Sequence, residues 1–245
     1  MQPSAKTGLI AGGCLLVLIG CTYLPKPHLP APHLPDSWTA TAADDEAIAD
    51  RPGEARLQVI IAYGPLVDNH AALRLVCPGR PVLFWDPGGG YNKQTAPHTR
   101  WNDIIVQDPP DLSTYLAFRR THYDTAVEIF EWRITAPQAA ALMDVLRNGT
   151  DSRHPAGSFR SGTAGLFCST AISDFLSRFA GDVMTVSKTY FWPNELAKAL
   201  YTQNPYRVIL FRPANPLVIY RPPPAALQVS SPPPERNLPD ATRRQ

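Results

Sequence analysis

The chain has 245 residues, of which 23 are Lys or Arg and 21 are Asp or Glu, so its formal net charge is +2 at pH 7. This length allows one domain with a sizeable core. The charged residues form no dense basic stripe and do not interleave with aromatic residues, so we expect no nucleic-acid partner. No cluster has zinc-ligand spacing and no segment resembles a nucleotide site, so we expect neither a metal nor a cofactor.

The N-terminus carries a short hydrophobic segment, residues 9–19, that is followed by Gly20 and Cys21. It resembles a bacterial lipoprotein signal, in which the peptide is cut before a cysteine that receives acyl chains. The resemblance implies a signal peptide at 1–20 and a lipidated Cys21 that contacts membrane lipid. Thr22 in place of an aspartate is typical of lipoproteins sent to the outer membrane, here facing the periplasm. The alternative is an uncleaved anchor helix, but the apolar run is shorter than the roughly 20 residues that a membrane span needs.

Proline-rich segments flank the rest of the chain. Residues 21–53 contain Pro-His-Leu-Pro twice, and we interpret them as an extended tether. Residues 213–245 contain two runs of three prolines and cannot build a packed core, so we expect a disordered tail. The folded domain is therefore predicted at 54–212.

Strand-like and helix-like segments alternate between the tether and the tail. Segments rich in β-branched and aromatic residues predict five strands, at 57–63, 70–76, 82–85, 126–132 and 206–211. Start and stop signals predict four helices, at 112–120, 137–147, 169–179 and 194–201. Short turns join several of the strands, so we expect a mostly antiparallel sheet of about five strands with helices packed on it, an α+β domain.

Cys168 lies at the start of the third predicted helix. Apolar residues follow it at helical spacing and put the thiol on the buried face, whereas Ser169 and Ser173 are expected on the other side. The positive end of a helix lowers the pKa of a thiol and favours the thiolate that attacks carbonyl groups. Cys77 is the other cysteine of the predicted domain, and in an oxidising compartment the two could form a disulfide. Cys168 is thus either a nucleophile or a bridge partner.

His70 opens a predicted strand, and a turn links that strand to the one that ends before Asp86. Antiparallel pairing in this hairpin returns Asp86 towards His70. A thiol nucleophile needs an imidazole base, and the base needs a polar group that orients it. We therefore predict His70 as the base and Asp86 as the orienting residue, with Asn92 as a lesser candidate. Cys77 lies about 23 Å along the strand from His70, so Cys168 cannot meet both.

The order of these residues resembles the circularly permuted branch of the papain-like, NlpC-type cysteine hydrolases, which includes bacterial lipoproteins and lecithin:retinol acyltransferase-like enzymes. The resemblance covers about 57–201 and rests on the sequences around His70, Asp86 and Cys168. It implies a papain-like domain in which Cys168 attacks an amide or ester carbonyl and forms a thioester. His70 would transfer the proton, and Asp86 would hold the imidazole tautomer. The acyltransferase-like members usually have a second histidine at the position of Asp86.

From these features we expect a membrane-anchored cysteine hydrolase, an amidase or thiol protease, that acts on peptidoglycan peptides in the bacterial cell envelope. Two alternatives remain open. One is an acyltransferase or thioesterase that acts on lipid-linked acyl groups. The other is a non-catalytic envelope lipoprotein with a papain-like binding module and a Cys77–Cys168 disulfide. A polar cleft would favour the peptide substrate, and a long apolar channel would favour the acyl substrate.

A polar loop that contains His98 and Trp101 is predicted to line the substrate groove. His98, His122 and His154 are alternative bases, but a surface role is favoured for each. The glycines at 88–90 lack the ending of a phosphate-binding loop and are interpreted as a hinge or a groove wall.

Overall fold

The computed structural model describes residues 34–64, 69–93, 96, 99–123, 125–148 and 167–223, which form a nine-stranded sheet and five helices. The strands are β1 (Thr39–Ala43), β2 (Ala55–Tyr63), β3 (His70–Val76), β4 (Leu83–Trp85), β5 (Arg100–Trp101), β6 (Ile104–Ile105), β7 (Ala126–Ile134), β8 (Arg207–Phe211) and β9 (Leu217–Arg221). The helices are α1 (Asp45–Ile48), α2 (Leu112–Tyr123), α3 (Ala136–Asn148), α4 (Cys168–Phe179) and α5 (Pro193–Tyr201). The strands lie in the order β1-β9-β8-β7-β2-β3-β4-β6-β5, and every neighbouring pair is antiparallel.

Helices cover both faces of the sheet. The face that carries Ala71 and Leu73 packs against α3, α4 and α5, and the face that carries Ala72 packs against α1 and α2. All nine residues of β2 are buried. Burial on both faces explains why the central strands are almost continuously apolar instead of alternating with polar residues. Because side chains alternate along a strand, His70 and Arg74 lie on the same face as Ala72.

The expected papain-like domain with a sheet of about five strands is wrong. The five predicted strands correspond to β2, β3, β4, β7 and β8, but the sheet continues through β9 and β1 on one side and through β6 and β5 on the other. Three of the four additional strands carry little sequence signal, whereas β9 has the β-branched and aromatic residues of a strand and lies within the proline-rich range. β5 and β6 have two residues each, and β1 consists of threonine and alanine. The four predicted helices coincide with α2 to α5 to within a few residues.

Two of these additional strands lie beyond the predicted domain boundaries of 54 and 212. β1 falls in the range interpreted as a tether, β9 falls in the range interpreted as a tail, and the two strands pair with each other. Pro216 and Pro222 flank β9 without interrupting it, and proline at a strand boundary removes no hydrogen bond from the ladder. The folded domain therefore extends past both predicted boundaries.

The predicted signal peptide, Cys21 and the tail after residue 223 lie outside the described residues. Within the described part of the chain, none of the helices has the length and apolar character needed to cross a bilayer.

Candidate active site

Cys168 is the first residue of α4 and is half-buried. Phe167 precedes it in an extended conformation, with φ −88° and ψ 159°. Ile172 and Phe175 anchor the helix in the core. The backbone N–H of Ala71 in β3 donates a hydrogen bond to Sγ of Cys168 at 3.3 Å. The thiol therefore lies where the start of α4 meets the start of β3.

The hairpin of β3 and β4 brings His70 and Asp86 into contact. Leu73 lies opposite Trp85, so the next residue, Asp86, reaches the His70 end of β3. Nε2 of His70 lies 2.5 Å from Oδ1 of Asp86. The Cys168 thiol and the same imidazole are close enough for each to shift the pKa of the other. Because Asp86 occupies Nε2, Nδ1 is the ring nitrogen that remains for the sulfur. The structure thus brings Cys168, His70 and Asp86 into one chain of contacts.

The pKa values of the thiol and the imidazole shift towards each other. Burial disfavours the imidazolium, but the charge and hydrogen bond of Asp86, with help from Cys168, raise the pKa of His70 to about 9. Burial also disfavours the thiolate, but the hydrogen bond and charge of His70 and the backbone N–H groups of Ala71 and Ser169 lower the pKa of Cys168. Both shifts favour a thiolate–imidazolium pair near neutral pH, in which the sulfur is nucleophilic.

Asp86 is buried between two cationic side chains. Burial disfavours the carboxylate, but the charges and hydrogen bonds of His70 and Arg100 hold the pKa of Asp86 below its usual range. Nη2 of Arg100 donates to Oδ2 of Asp86 at 2.7 Å, so each carboxylate oxygen has its own partner. A Cβ on Gly89 would lie 2.1 Å from both oxygens. Glycine is therefore required directly beneath the carboxylate.

The disulfide that the sequence left open is not formed. Cys77 and Cys168 are both free thiols in the described part of the chain. Cys77 follows the far end of β3, where its Sγ donates to the carbonyl oxygen of Ala136 at 3.5 Å. The two cysteines therefore lie at opposite ends of β3.

Two serines of α4 are buried, although the sequence pattern placed them on the exposed side. Ser169 and Ser173 have no exposed surface. Oγ of Ser169 donates to the carbonyl oxygen of Phe191 at 2.7 Å, and Oγ of Ser173 accepts from the N–H of Tyr190 at 2.8 Å. These bonds hold the segment that precedes α5 against the first turns of α4. Helical periodicity could not reveal them, because their partners are distant backbone groups.

Three exposed aromatic side chains lie along this segment and next to the start of α4. Phe167 and Phe191 are 46% exposed and Trp192 is 48% exposed. The ring centroids of Phe167 and Phe191 are 4.2 Å apart, and those of Phe191 and Trp192 are 4.8 Å apart. We call these three residues the aromatic platform. Phe167 immediately precedes Cys168 and Ser169 bonds to Phe191, so the platform lies next to the start of α4. Exposed apolar groups of this kind are typical of binding surfaces.

The other sequence-predicted residues do not join the contact chain. Trp101 is 48% exposed on the edge strand β5. Oδ1 of Asp86 occupies the position next to His70 for which Asn92 was the lesser candidate.

His122 lies on the surface at the end of α2, where Nδ1 is 3.1 Å from the carbonyl oxygen of Phe118. The predictions for His98, His154 and Cys21 fall outside the described residues. Among the residues that the structure describes, no group of histidine, cysteine and acidic side chains could hold a metal.

Sequence reasoning missed Arg100 and the role of Gly89. The run Asp-Pro-Gly-Gly-Gly at 86–90 was a usable signal for Gly89, because a glycine-rich turn directly after a candidate site residue indicates close backbone approach. Arg100 gave no such signal. It lies in a two-residue strand and reaches a carboxylate 14 residues earlier in the chain.

No known protein family, curated protein or solved structure matches this chain at a significant level. The family resemblance described above stays a prediction that rests on the residues quoted for it.

Proposed function

We propose that this protein is a cysteine hydrolase that cleaves an amide or ester bond through a thioester on Cys168. The observation that carries the proposal is the contact chain from Cys168 through His70 to Asp86, with 2.5 Å between Nε2 of His70 and Oδ1 of Asp86. A nucleophile, a base within reach and a group that orients the base are what this chemistry requires. The lowered pKa of Cys168 supports the same role.

In the first half of the reaction, the Cys168 thiolate attacks the carbonyl carbon, a C–S bond forms and negative charge moves to the carbonyl oxygen. The backbone N–H of Cys168 lies in the first turn of α4, where N–H groups have no acceptor within the helix, and it is our candidate donor to this oxyanion. The His70 imidazolium then donates its proton to the leaving nitrogen or oxygen as the C–N or C–O bond breaks.

In the second half, neutral His70 takes a proton from water, and the resulting hydroxide attacks the thioester. The C–S bond breaks, the acid product leaves and the thiolate–imidazolium pair is restored. Asp86 accepts a hydrogen bond from Nε2 throughout, which keeps Nδ1 available for each proton transfer.

As the substrate we propose an amide bond in a peptidoglycan peptide. This proposal rests on the predicted lipoprotein signal. A lipidated Cys21 would hold the domain at the bacterial outer membrane, facing the periplasm, within reach of the cell wall.

A second candidate function is acyl transfer or thioester hydrolysis with a lipid-linked acyl group. The aromatic platform favours it, because Phe167, Phe191 and Trp192 offer an exposed apolar surface next to the start of α4. Both candidates form the same thioester and differ in the group attached to the carbonyl carbon.

Trapping of the acyl-enzyme tests the proposal. The protein is mixed with p-nitrophenyl acetate, a long-chain p-nitrophenyl ester or a cell-wall peptide, quenched with acid and digested for mass spectrometry. We expect one acyl group on Cys168 that hydroxylamine removes. Turnover in Cys168→Ser should fall by about 10⁴-fold or more. Cys77→Ser is the matched control and should keep wild-type turnover.

The substrate panel separates the candidates. Cleavage of the peptide supports the amidase, and a preference for the long-chain ester supports the acyl-group enzyme. If none of the three substrates acylates Cys168, or if Cys168→Ser turns over like the wild type, the proposal is wrong and the non-catalytic binding protein becomes the better account.

A further inference from the structure

Arg100 directs its whole guanidinium group at the turn that carries Asp86. Nη2 donates to Oδ2 of Asp86 at 2.7 Å and to the carbonyl oxygen of Tyr91 at 2.6 Å. Nε donates to the Tyr91 carbonyl oxygen at 3.2 Å. Nη1 lies 3.4 Å from the carbonyl oxygens of Asp86 and Asp103. The side chain is 8% exposed. A rigid, mostly buried fork of this kind fixes both the carboxylate and the backbone around it.

The Asp86 carboxylate is therefore restrained from several sides. His70 contacts Oδ1, Arg100 contacts Oδ2, and the absent side chain of Gly89 leaves the space that the carboxylate fills. Backbone bonds add to this restraint, because the N–H of Asp86 donates to the carbonyl oxygen of Asp103 at 3.1 Å. Rotation of the carboxylate would break the bond to Arg100 as well as the bond to His70.

We propose that Arg100 is a positioning residue of the candidate active site, which acts on the Cys168 thiolate by holding Asp86 in the orientation that meets His70. The inference rests on the proposed function, because it concerns the same Cys168–His70–Asp86 site. Arg100 touches neither the thiol nor the imidazole in any contact described above. Its effect on the sulfur passes through the Asp86 carboxylate.

A positioning role and a purely electrostatic role of Arg100 differ in whether the positive charge alone is sufficient. As a positive charge, Arg100 stabilises a nearby thiolate, so Arg100→Lys, which keeps the charge, would leave the Cys168 pKa near its wild-type value. As a positioning group, Arg100 keeps the carboxylate on Nε2, so loss of the fork in Arg100→Lys would weaken the imidazolium and raise the pKa of Cys168. The response of Arg100→Lys therefore distinguishes the two roles.

Other ionisable groups near Asp86 belong to neighbouring elements. Asp103 lies in the turn between β5 and β6, Tyr115 lies on α2, and both interact electrostatically with Asp86. Lys93 acts on Asp103 and is exposed. Lys93→Gln is therefore a matched control, since it removes a nearby positive charge that makes no contact with the carboxylate in the described structure.

The experiment measures the rate of Cys168 alkylation by iodoacetamide against pH in the full chain, by mass spectrometry of the Cys168 peptide. Circular dichroism and thermal melts check that each variant is folded. In Arg100→Gln we expect a higher thiol pKa and an alkylation rate at about pH 6.5 that is lower by about tenfold, which corresponds to one pKa unit. Arg100→Lys keeps the charge but not the fork and should shift in the same direction. Gly89→Ala should do so too, because its Cβ displaces the carboxylate.

A lower or unchanged Cys168 pKa in folded Arg100→Gln would overturn the positioning role, as would a wild-type Cys168 pKa in folded Arg100→Lys or a shift of equal size in Lys93→Gln. These results would not contradict the proposed function, because the pKa of the wild-type Cys168 thiol would still be lowered. If the wild-type thiol titrates like that of the denatured chain, both the proposed function and the role of Arg100 are wrong.

Discussion

Two buried polar clusters begin at residues on the same face of β3 and use charge for different purposes. One is the candidate active site, which begins at His70. The other begins at Arg74, four residues further along the strand and about 13 Å away. We call the second cluster the cross-strand row, and its members are Arg74, Gln58, Glu131 and Arg207.

Each charged member of the cross-strand row has a partner within the protein. Strand register puts Gln58 opposite both Arg74 and Glu131, and Glu131 opposite Arg207. Glu131 accepts from Gln58 at 2.7 Å and from Arg207 at 2.8 Å. At one end Arg74 pairs with Asp50. At the other end Nη1 of Arg207 donates to the carbonyl oxygen of Ala47 at 2.8 Å, which ties α1 to the sheet. The charges of the row are balanced within the protein, and the result is a structural brace.

The candidate active site is open at one end. Its members come from a strand end, a turn, a short edge strand and the start of a helix, and the chain of contacts finishes at the half-buried Cys168. Burial and opposite charge act in both clusters. In the row they hold neighbouring strands together, whereas at the site they favour a charged sulfur at a half-buried position.

The largest effect on stability is expected from Glu131→Ala. Removal of one partner leaves Arg207 buried without its counter-charge, which costs about 3–5 kcal/mol in the free energy of unfolding. Urea denaturation measures this cost. The matched control is Asp144→Ala, which breaks the exposed Arg80–Asp144 pair and should cost less than about 1 kcal/mol.

The same variant tests whether the two clusters are independent. Folded Glu131→Ala should keep the wild-type pH dependence of Cys168 alkylation, because the row and the site share no hydrogen bond among those described. A shifted alkylation profile would show that the two clusters are coupled. Equal losses of stability in Glu131→Ala and Asp144→Ala would show that the row does not stabilise the fold more than a surface pair does.

A smaller effect is expected from the ionisation of His70. Its pKa is raised from 6.5 to about 9 in the folded protein, so the stabilisation from the charged ring is fully present below about pH 6.5 and is lost as pH rises through about 9. In a Cys168→Ala background, the stability advantage of His70 over His70→Asn should shrink by roughly 2 kcal/mol between about pH 6 and about pH 10. Urea titrations at both pH values measure it, and an advantage that grows with pH would contradict the assignment.

An effect of similar size on stability is expected from Ser173→Ala. The change leaves the N–H of Tyr190 without its buried acceptor and should cost about 1–3 kcal/mol. It should also loosen the segment that carries Phe191 and Trp192, so alkylation by a long-chain iodoacetamide should slow more than alkylation by iodoacetamide itself. Ser177→Ala on the exposed side of α4 is the control and should leave both rates unchanged. Equal behaviour of the two variants would mean that the serines do not support the platform.

Local patterns in the sequence predicted the parts of the fold that depend on neighbours in the chain. The central strands were visible because burial on both faces makes them rich in β-branched and aromatic residues. The contact of His70 with Asp86 was predictable because one short turn joins their strands. The position of Cys168 beside Ala71, 97 residues away, depends on how α4 packs on β3, and only the family resemblance pointed to it.

The features that the sequence did not reveal depend on distant partners. β1 and β9 bond to each other across most of the chain length, and their alanine-rich and proline-flanked sequences hide them. Ser169 was placed on the wrong side of α4, because its hydroxyl is satisfied by a backbone carbonyl 22 residues away. Arg100 was missed for the same reason, since no local sequence pattern indicates that its guanidinium contacts a residue in another turn.

The pH dependence of Cys168 alkylation in the wild-type protein tests the central claim most directly. The rate is measured on the folded chain and on the same chain in denaturant, where a free thiol has a pKa of about 8.5. A thiolate paired with His70 predicts a clearly lower midpoint in the folded protein and a loss of that difference in His70→Asn. The same midpoint in the folded and the denatured chain would contradict the assignment of Cys168 as an activated nucleophile.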